Sequence, residues 1–222
     1  MKKRNEGSAP VGVLSKPVVM TAKPSKINSA SELEKLFDHL VDDYVSRNSA
    51  ARVLKVKLEE TGVGFRPVID HITIRTMDID RRAEEFLALG YAYSETLNYE
   101  DWFAKIYRVS GYPALFVDQA YPDRRGESSI IPGWVKQFGD QTLHHVAIRV
   151  EDIERAMDRL RTAGVVFTGE IVGSRGGVLR QIFTAPERVD GQPFSVLELT
   201  ERHQGFQGFS PPQADGLMKS TR

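Results

Sequence analysis

The chain is 222 residues long, carries 30 Lys+Arg against 30 Asp+Glu, and has no cysteine. Balanced charge leaves no net field to gather nucleic acid or an anionic membrane surface. The lack of cysteine excludes a disulfide scaffold, thiolate metal sites and a cysteine nucleophile, and fits a cytoplasmic protein. No apolar run approaches the roughly 18 residues of a membrane-spanning helix, so neither a membrane nor nucleic acid is an expected partner.

Residues 1–28 are rich in Pro, Lys, Ser and Gly and lack periodicity, so they read as a flexible arm, with a cleaved organelle-targeting peptide as the minor alternative. Ser31 and Glu34 then form a capping box. Behind it Leu33, Leu36, Phe37, Leu40, Val41, Tyr44 and Val45 recur at three- and four-residue steps and predict an amphipathic helix. Ser49 is the expected cap of a second helix stopped by Gly62, and 29–64 is a helical lead-in that covers a sheet.

From Arg66 the period changes to two. Asp70-His71-Ile72-Thr73-Ile74-Arg75 reads as a strand with His71, Thr73 and Arg75 on one face and Ile72 and Ile74 against a helix layer. Asp78 or Asp80 opens a helix ended by Gly90, and strands follow at 91–97, 103–109 and 112–119. Residues 65–122 are thus a βαβββ module. A polar connector, 123–141, contains Ile131-Pro132-Gly133-Trp134 as a short helix or lid. Module two, 142–202, starts with His144-His145-Val146-Ala147-Ile148-Arg149, continues as a helix from Asp152 to Gly164, and adds strands at 165–172, 178–184 and 194–200. The tail, 203–222, ends in helix-like residues 213–218. Ser174-Arg175-Gly176-Gly177 could suggest a phosphate cradle, but no helix follows it and a hairpin loop is expected.

The two modules register. Subtracting, 145 − 71 gives 74, and the same offset takes Asp78 to Asp152 and Gly90 to Gly164. Shared spacing across strand, helix start and helix stop indicates duplication. Two histidines at equivalent points of paired modules are what a metal site between the modules needs, and an enzyme is the leading expectation. His144 is expected on the opposite side of its strand; a slip of one residue would exchange it with His145.

Tandem βαβββ modules with a histidine on each first strand resemble the vicinal oxygen chelate superfamily, which includes glyoxalases and dioxygenases. The helical lead-in, Asp70-His71-x-x-x-Arg75-Thr76, Phe86-Leu87-Ala88-Leu89-Gly90-Tyr91 and the ending Gly208-Phe209-Ser210-Pro211-Pro212-Gln213-Ala214-Asp215-Gly216-Leu217-Met218 are similar to the 2-oxoadipate dioxygenase/decarboxylase family. The resemblance implies an α+β fold, a half-open barrel built of both modules. It also implies Fe(II), or another divalent metal, held by His71, His145 and Glu198, with Arg75 gripping the substrate and Pro212 and Gln213 closing over it. The expected partners are a small 2-oxo dicarboxylic acid and O2, and the expected products a 2-hydroxy acid and CO2.

The residue chemistry agrees with that set. Two imidazoles and a carboxylate leave adjacent positions open, as non-haem Fe(II) oxygenases require. A glutamate flanked by Val196, Leu197 and Leu199 is costly to bury unless paired or bound to metal. Arg75 suits a bidentate carboxylate contact, with an ion pair across the barrel mouth as the plain alternative. Arg149 reads as a structural echo, and Arg180 and Gln181 as further cavity residues. Strict register puts Val117, between Phe116 and Asp118, opposite Glu198's role, so a four-ligand glyoxalase site is not expected unless Asp118 turns in. The rival readings are a non-oxidative glyoxalase- or epimerase-type metalloenzyme and a metal-free binding protein. Paired modules can close within one chain or between two, so a homodimer is also open.

Overall fold

A computed structural model describes the chain over residues 26–219. Most of the expected N-terminal arm, residues 1–25, lies outside the described residues. The first helix, α1 (Lys26–Arg47), is already formed at Lys26. The Ser31/Glu34 pair therefore sits inside a helix, and residues 26–28 belong to that helix and not to an arm. Its stripe of Leu33, Phe37, Leu40, Val41 and Tyr44 is buried, and the Tyr44 hydroxyl donates to the Val196 carbonyl at 2.5 Å.

The second helix, α2 (Ser49–Glu59), is capped by Asn48 and not by Ser49. Asn48 Oδ1 accepts from the Ala51 amide at 2.9 Å, and Asn48 Nδ2 donates to Ser195 Oγ at 3.1 Å. One fully buried side chain thus caps a helix and ties the lead-in to the sheet. Asn48→Ala loses the cap and strands the buried hydroxyl, so a loss of about 2 kcal/mol is expected. Urea unfolding measures it, and an unchanged midpoint would show the cap to be dispensable.

Module one comprises β1 (Ile69–Arg75), α3 (Ile79–Ala88), β2 (Ala92–Asn98), β3 (Trp102–Arg108) and β4 (Ala114–Ala120). A connector helix, α4 (Ile131–Phe138), leads to β5 (Leu143–Val150), α5 (Ile153–Thr162), β6 (Leu179–Phe183), a small hairpin β7 (Arg188–Val189) and β8 (Gln192–Pro193), β9 (Val196–Arg202), and the tail helix α6 (Pro211–Lys219). Asp78 and Asp152 cap α3 and α5 in the same way, their carboxylates accepting from the Arg81 and Arg155 amides. Gly90 and Gly164 end those helices at φ +108° and +89°, a region costly for other residues.

One expected strand does not form as such. Residues 165–172 make only single bridges, Phe167 to Thr184 and Val172 to Gln181. Gly169 lies at φ +80° within the segment, and Gly173 at +94° closes it. A Cβ on Gly173 would lie 2.2 Å from the Leu179 carbonyl oxygen. Left-handed residues break the pleat that a continuous ladder needs.

The seven-stranded sheet runs β2-β3-β4-β1-β5-β9-β6. It curls into a half-barrel with helices packed on its outer face, an α+β fold of the vicinal oxygen chelate type. The modules meet through antiparallel β1 and β5, where Ile72 pairs with Val146, its own copy at the 74-residue offset. A local two-fold axis therefore passes between them. The ladder is interrupted twice, leaving Asp70 extra in β1 and His144 extra in β5. Those bulges are themselves copies, since 70 + 74 = 144. Both modules belong to one chain, so the interior they enclose needs no second copy. Among the described residues, no helix is long and apolar enough to cross a membrane.

Candidate metal centre

Strand alternation carries His71 and Thr73 of β1, His145 of β5 and Glu198 of β9 to the concave side of the sheet. His71, His145 and Glu198 each offer one donor atom, all within 4.8 Å of one another, and all three residues are buried. Glu198 Oε2 lies 3.4 Å from Nε2 of each histidine. The other carboxylate oxygen, Oε1, accepts from Gln181 Nε2 and Thr200 Oγ1, both at 2.6 Å. These two donors fix the carboxylate so that Oε2 faces the imidazoles.

Each histidine is held from behind by its bulge residue. His71 Nδ1 lies 2.9 Å from Asp70 Oδ2, and Asp70 is gripped by Arg202 Nε and Nη2 at 2.8 and 2.9 Å. His145 Nδ1 lies 2.9 Å from His144 Nδ1. A bulge swings its extra residue out of the strand's alternation, which lets the preceding side chain reach the ring. His144 therefore does not face away as the alternation predicted; it backs His145 as Asp70 backs His71. Thr73 Oγ1 sits 2.9 Å from His145 Nε2.

The electrostatics suit a cation. Burial alone would lower His71, but Glu198 and Asp70 overrule it and hold the imidazole at about 9. Burial, with His71 and Arg75 close by, takes His145 down to about 3 against the pull of Glu198. Glu198 stays below its ordinary value despite burial, because His71, His145 and the Thr200 hydroxyl favour its anion. One proton shared among these groups stands where a metal charge would. Two neutral imidazoles and a carboxylate, each with a fixed outer partner, match the donor set of Fe(II) and related divalent ions. Metal uptake must expel the His71 proton, so affinity is expected to fall about tenfold per pH unit below about pH 9. The same shift makes the metal-free fold lose stability as pH rises from 6.5 through 9, the raised-pKa direction for a base. Metal titrations and thermal melts across pH 6–9 test both, and flat profiles would contradict them.

The pocket over the cluster measures only about 40 Å³. Phe116, Phe183, Trp102 and Phe209 wall it, and Leu217 and Met218 of α6 cover it. β1–β4 and β5–β9 pair alike, Thr73 with Phe116 and Ala147 with Glu198. Thr73 and Ala147 are 74 apart, so Phe116, not Val117, is the module-one counterpart of Glu198. Its ring lies 4.9 Å from that of His71. Val117 points into the core. Asp118 turns into the pocket with its carboxyl raised to about 7 by burial, partly offset by Arg75 and His71.

The other expected residues divide. Gln181 joins the cluster through Glu198. Arg180, its neighbour on the same strand, faces the other side and pairs with Glu154 and Glu201; adjacent strand residues cannot both face one cavity. Pro212 is exposed and Gln213 half-buried, and neither lines the pocket. Ala214, Leu217 and Met218 do so instead, a spacing of i, i+3, i+4 on α6 that a helical reading of the tail could have found. Arg75 is 1 % exposed, burial brings it to about 10 against the pull of Asp118, and its Nη2 touches Met218 Sδ at 3.4 Å. Its copy Arg149 is exposed.

Paired modules, each a strand, a helix and further strands, that converge two histidines and a carboxylate inside a curled sheet define a class of proteins that build small-molecule sites between duplicated halves. The chain belongs to the Glyoxalase/Bleomycin resistance protein/Dioxygenase superfamily, whose family model matches residues 70–180. Members of this superfamily are mostly metal-dependent enzymes. No curated protein sequence matches the chain. Among solved structures, hydroxyglutarate synthase from Oryza sativa in complex with 2-oxoadipate superposes with a TM-score of 0.66 at 18% identity, covering 95% of this chain and 98% of that one. A mutant of 4-hydroxymandelate synthase from Streptomyces coelicolor gives 0.55 at 18%, over 71% and 55%. A Shewanella frigidimarina NCIMB 400 protein described as a candidate hydrolase gives 0.68 at 20%, over 81% and 98%. At these identities the likeness is one of fold.

Proposed function

We propose that the chain is a non-haem Fe(II) dioxygenase/decarboxylase acting on a small 2-oxo dicarboxylic acid. The observation that carries this reading is the three-donor set His71, His145 and Glu198, with a phenylalanine where a fourth donor would stand. His71, His145 and Glu198 would hold iron, which would supply the redox chemistry that couples decarboxylation to O2 reduction. For a 2-oxoadipate-like substrate the balance is 2-oxoadipate plus O2 giving 2-hydroxyglutarate plus CO2.

The chain's own residues bind, orient and exclude water. Arg75 lines the neighbouring chamber, with Met218 between it and the metal pocket, and would take the carboxylate distal to the 2-oxo group by exchanging its weak contact to the Met218 sulfur for a charge-assisted pair. Asp70 and His144 keep the imidazole Nε2 atoms aimed at the cluster. Phe116, Phe183, Phe209 and Leu217 keep the pocket dry. Purified protein loaded anaerobically with Fe(II) is expected to consume O2 and release CO2 with one of a panel of 2-oxo acids. Failure with every acid sinks the reading.

One observation favours a second reading. Asp118 carries a carboxyl at about 7 on the pocket wall, which suits proton transfer in a non-oxidative, epimerase-type metalloenzyme. Turnover of a substrate without O2 would select it.

A further inference from the structure

A chamber of about 470 Å³ lies beside the metal pocket and shares no lining residue with it. Its walls are aromatic: the Phe138 ring packs against Trp134 at 5.3 Å and Phe194 at 4.9 Å. Trp134 Nε1 is already spent on the Phe194 carbonyl at 2.7 Å, so the wall offers ring surface and not a donor. Its polar lining comprises Gln137, Gln192, Ser195, Arg75 and His144, of which Arg75 is the one cation.

Arg75 and His144 are both under-used by the protein. Arg75 is buried yet makes no ion pair among the described residues; Nη2 has only the Met218 sulfur, and Nε has no partner. His144 Nδ1 is occupied by His145. With His145 Nε2 turned to the cluster, the hydrogen in that contact belongs to His145, so His144 carries its own hydrogen on Nε2. No described residue accepts it. A desolvated guanidinium and an N–H donor at the end of an aromatic slot complement a carboxylate on a flat apolar body. A phosphate would bring a second negative charge to a site with a single cation.

We infer that this chamber is a binding site for an aromatic carboxylic acid, its carboxylate on Arg75 and His144 and its ring against Trp134, Phe138 and Phe194. The site goes beyond the iron reading and stands whichever metal the cluster holds. It places a ligand's carboxylate one hydrogen bond away from the residue that backs His145.

Calorimetry on the full chain, stripped of metal with EDTA, tests it with phenylacetate, uncharged phenylacetamide and aliphatic butyrate as probes. Saturable phenylacetate binding is expected, with phenylacetamide weaker by about tenfold or more for its lost charge-assisted contact, and butyrate weaker by a similar factor for its lost ring contacts. Arg75→Met should weaken phenylacetate by a similar factor. Gly133→Leu offers an independent arm, because Gly133 lines the chamber and its Cβ position has nothing within 4 Å. That variant should lose phenylacetate binding while still taking up Zn(II) at the cluster, which also certifies its fold. No saturable phenylacetate binding to wild type, equal or tighter butyrate binding, or full binding by folded Arg75→Met and Gly133→Leu would each overturn the inference. Because no metal or O2 enters the assay, its failure leaves the O2-uptake test of the iron reading untouched.

Discussion

Glu198→Ala is expected to remove metal binding and turnover together. The substitution deletes the one anionic donor of the cluster and leaves Gln181 and Thr200 without their acceptor. Outer partners of metal ligands typically cost 10–100-fold in affinity when removed, so loss of a direct ligand should exceed about 100-fold. An independent mark accompanies it in the metal-free protein. Glu198 is the main group opposing burial at His71, so the imidazole that titrates at about 9 in wild type should titrate lower in the variant. Metal content, O2 uptake and histidine NMR titration read the three effects. Wild-type metal affinity in a folded Glu198→Ala protein would remove Glu198 from the cluster.

Phe116→Glu is expected to keep the metal and abolish O2 consumption. Phe116 occupies the module-one place that Glu198 holds in module two, and a carboxylate there would supply a fourth donor. An added ligand raises affinity for the ion while closing a position that an oxygenase must leave open. Buried beside Asp118, the new carboxylate would destabilise the metal-free chain, and a metal-dependent rise in melting temperature larger than that of wild type should follow. Activity that survives Phe116→Glu unchanged would count against oxygen chemistry and towards the proton-transfer alternative, in which four ligands are tolerated.

Much of the fold was legible because two periodicities alternate twice at a fixed offset. The change from 3.6 to 2 marks β1 and β5, and capping aspartates and left-handed glycines mark α3 and α5 at both ends. What was hidden is what breaks alternation. The bulges at Asp70 and His144 leave no trace in a pattern of apolar and polar residues, yet they turn both side chains onto the rings that follow. Aligning the last strands by sequence likewise chose Val117, because the 74-residue offset does not extend to them, the loops between helix and last strand differing in length between modules; pairing register, not counting, identifies Phe116. Asn48 was passed over as a cap because Ser49 fits the same rule one residue later. In the tail, Gly and Pro obscured the short helical spacing of Ala214, Leu217 and Met218. Arg180 beside Gln181 was readable, since only one of two neighbours on a strand can face inward.

The cover formed by Leu217 and Met218 would set a speed limit on the proposed reaction. On the proposed reading, the narrow space of about 40 Å³ beneath α6 would have to widen to admit a 2-oxo diacid, so each cycle would require the helix to leave and return. Opening motions of this kind run on microsecond to millisecond timescales, and only the open fraction of molecules can admit substrate, lowering apparent affinity by that fraction. Amide hydrogens of α6 should therefore exchange faster than those of β1 and β5, and slow when a ligand holds the helix down. The turnover number of this site would then be written in the hinge between Arg202 and Pro211 as much as in the ligands below it.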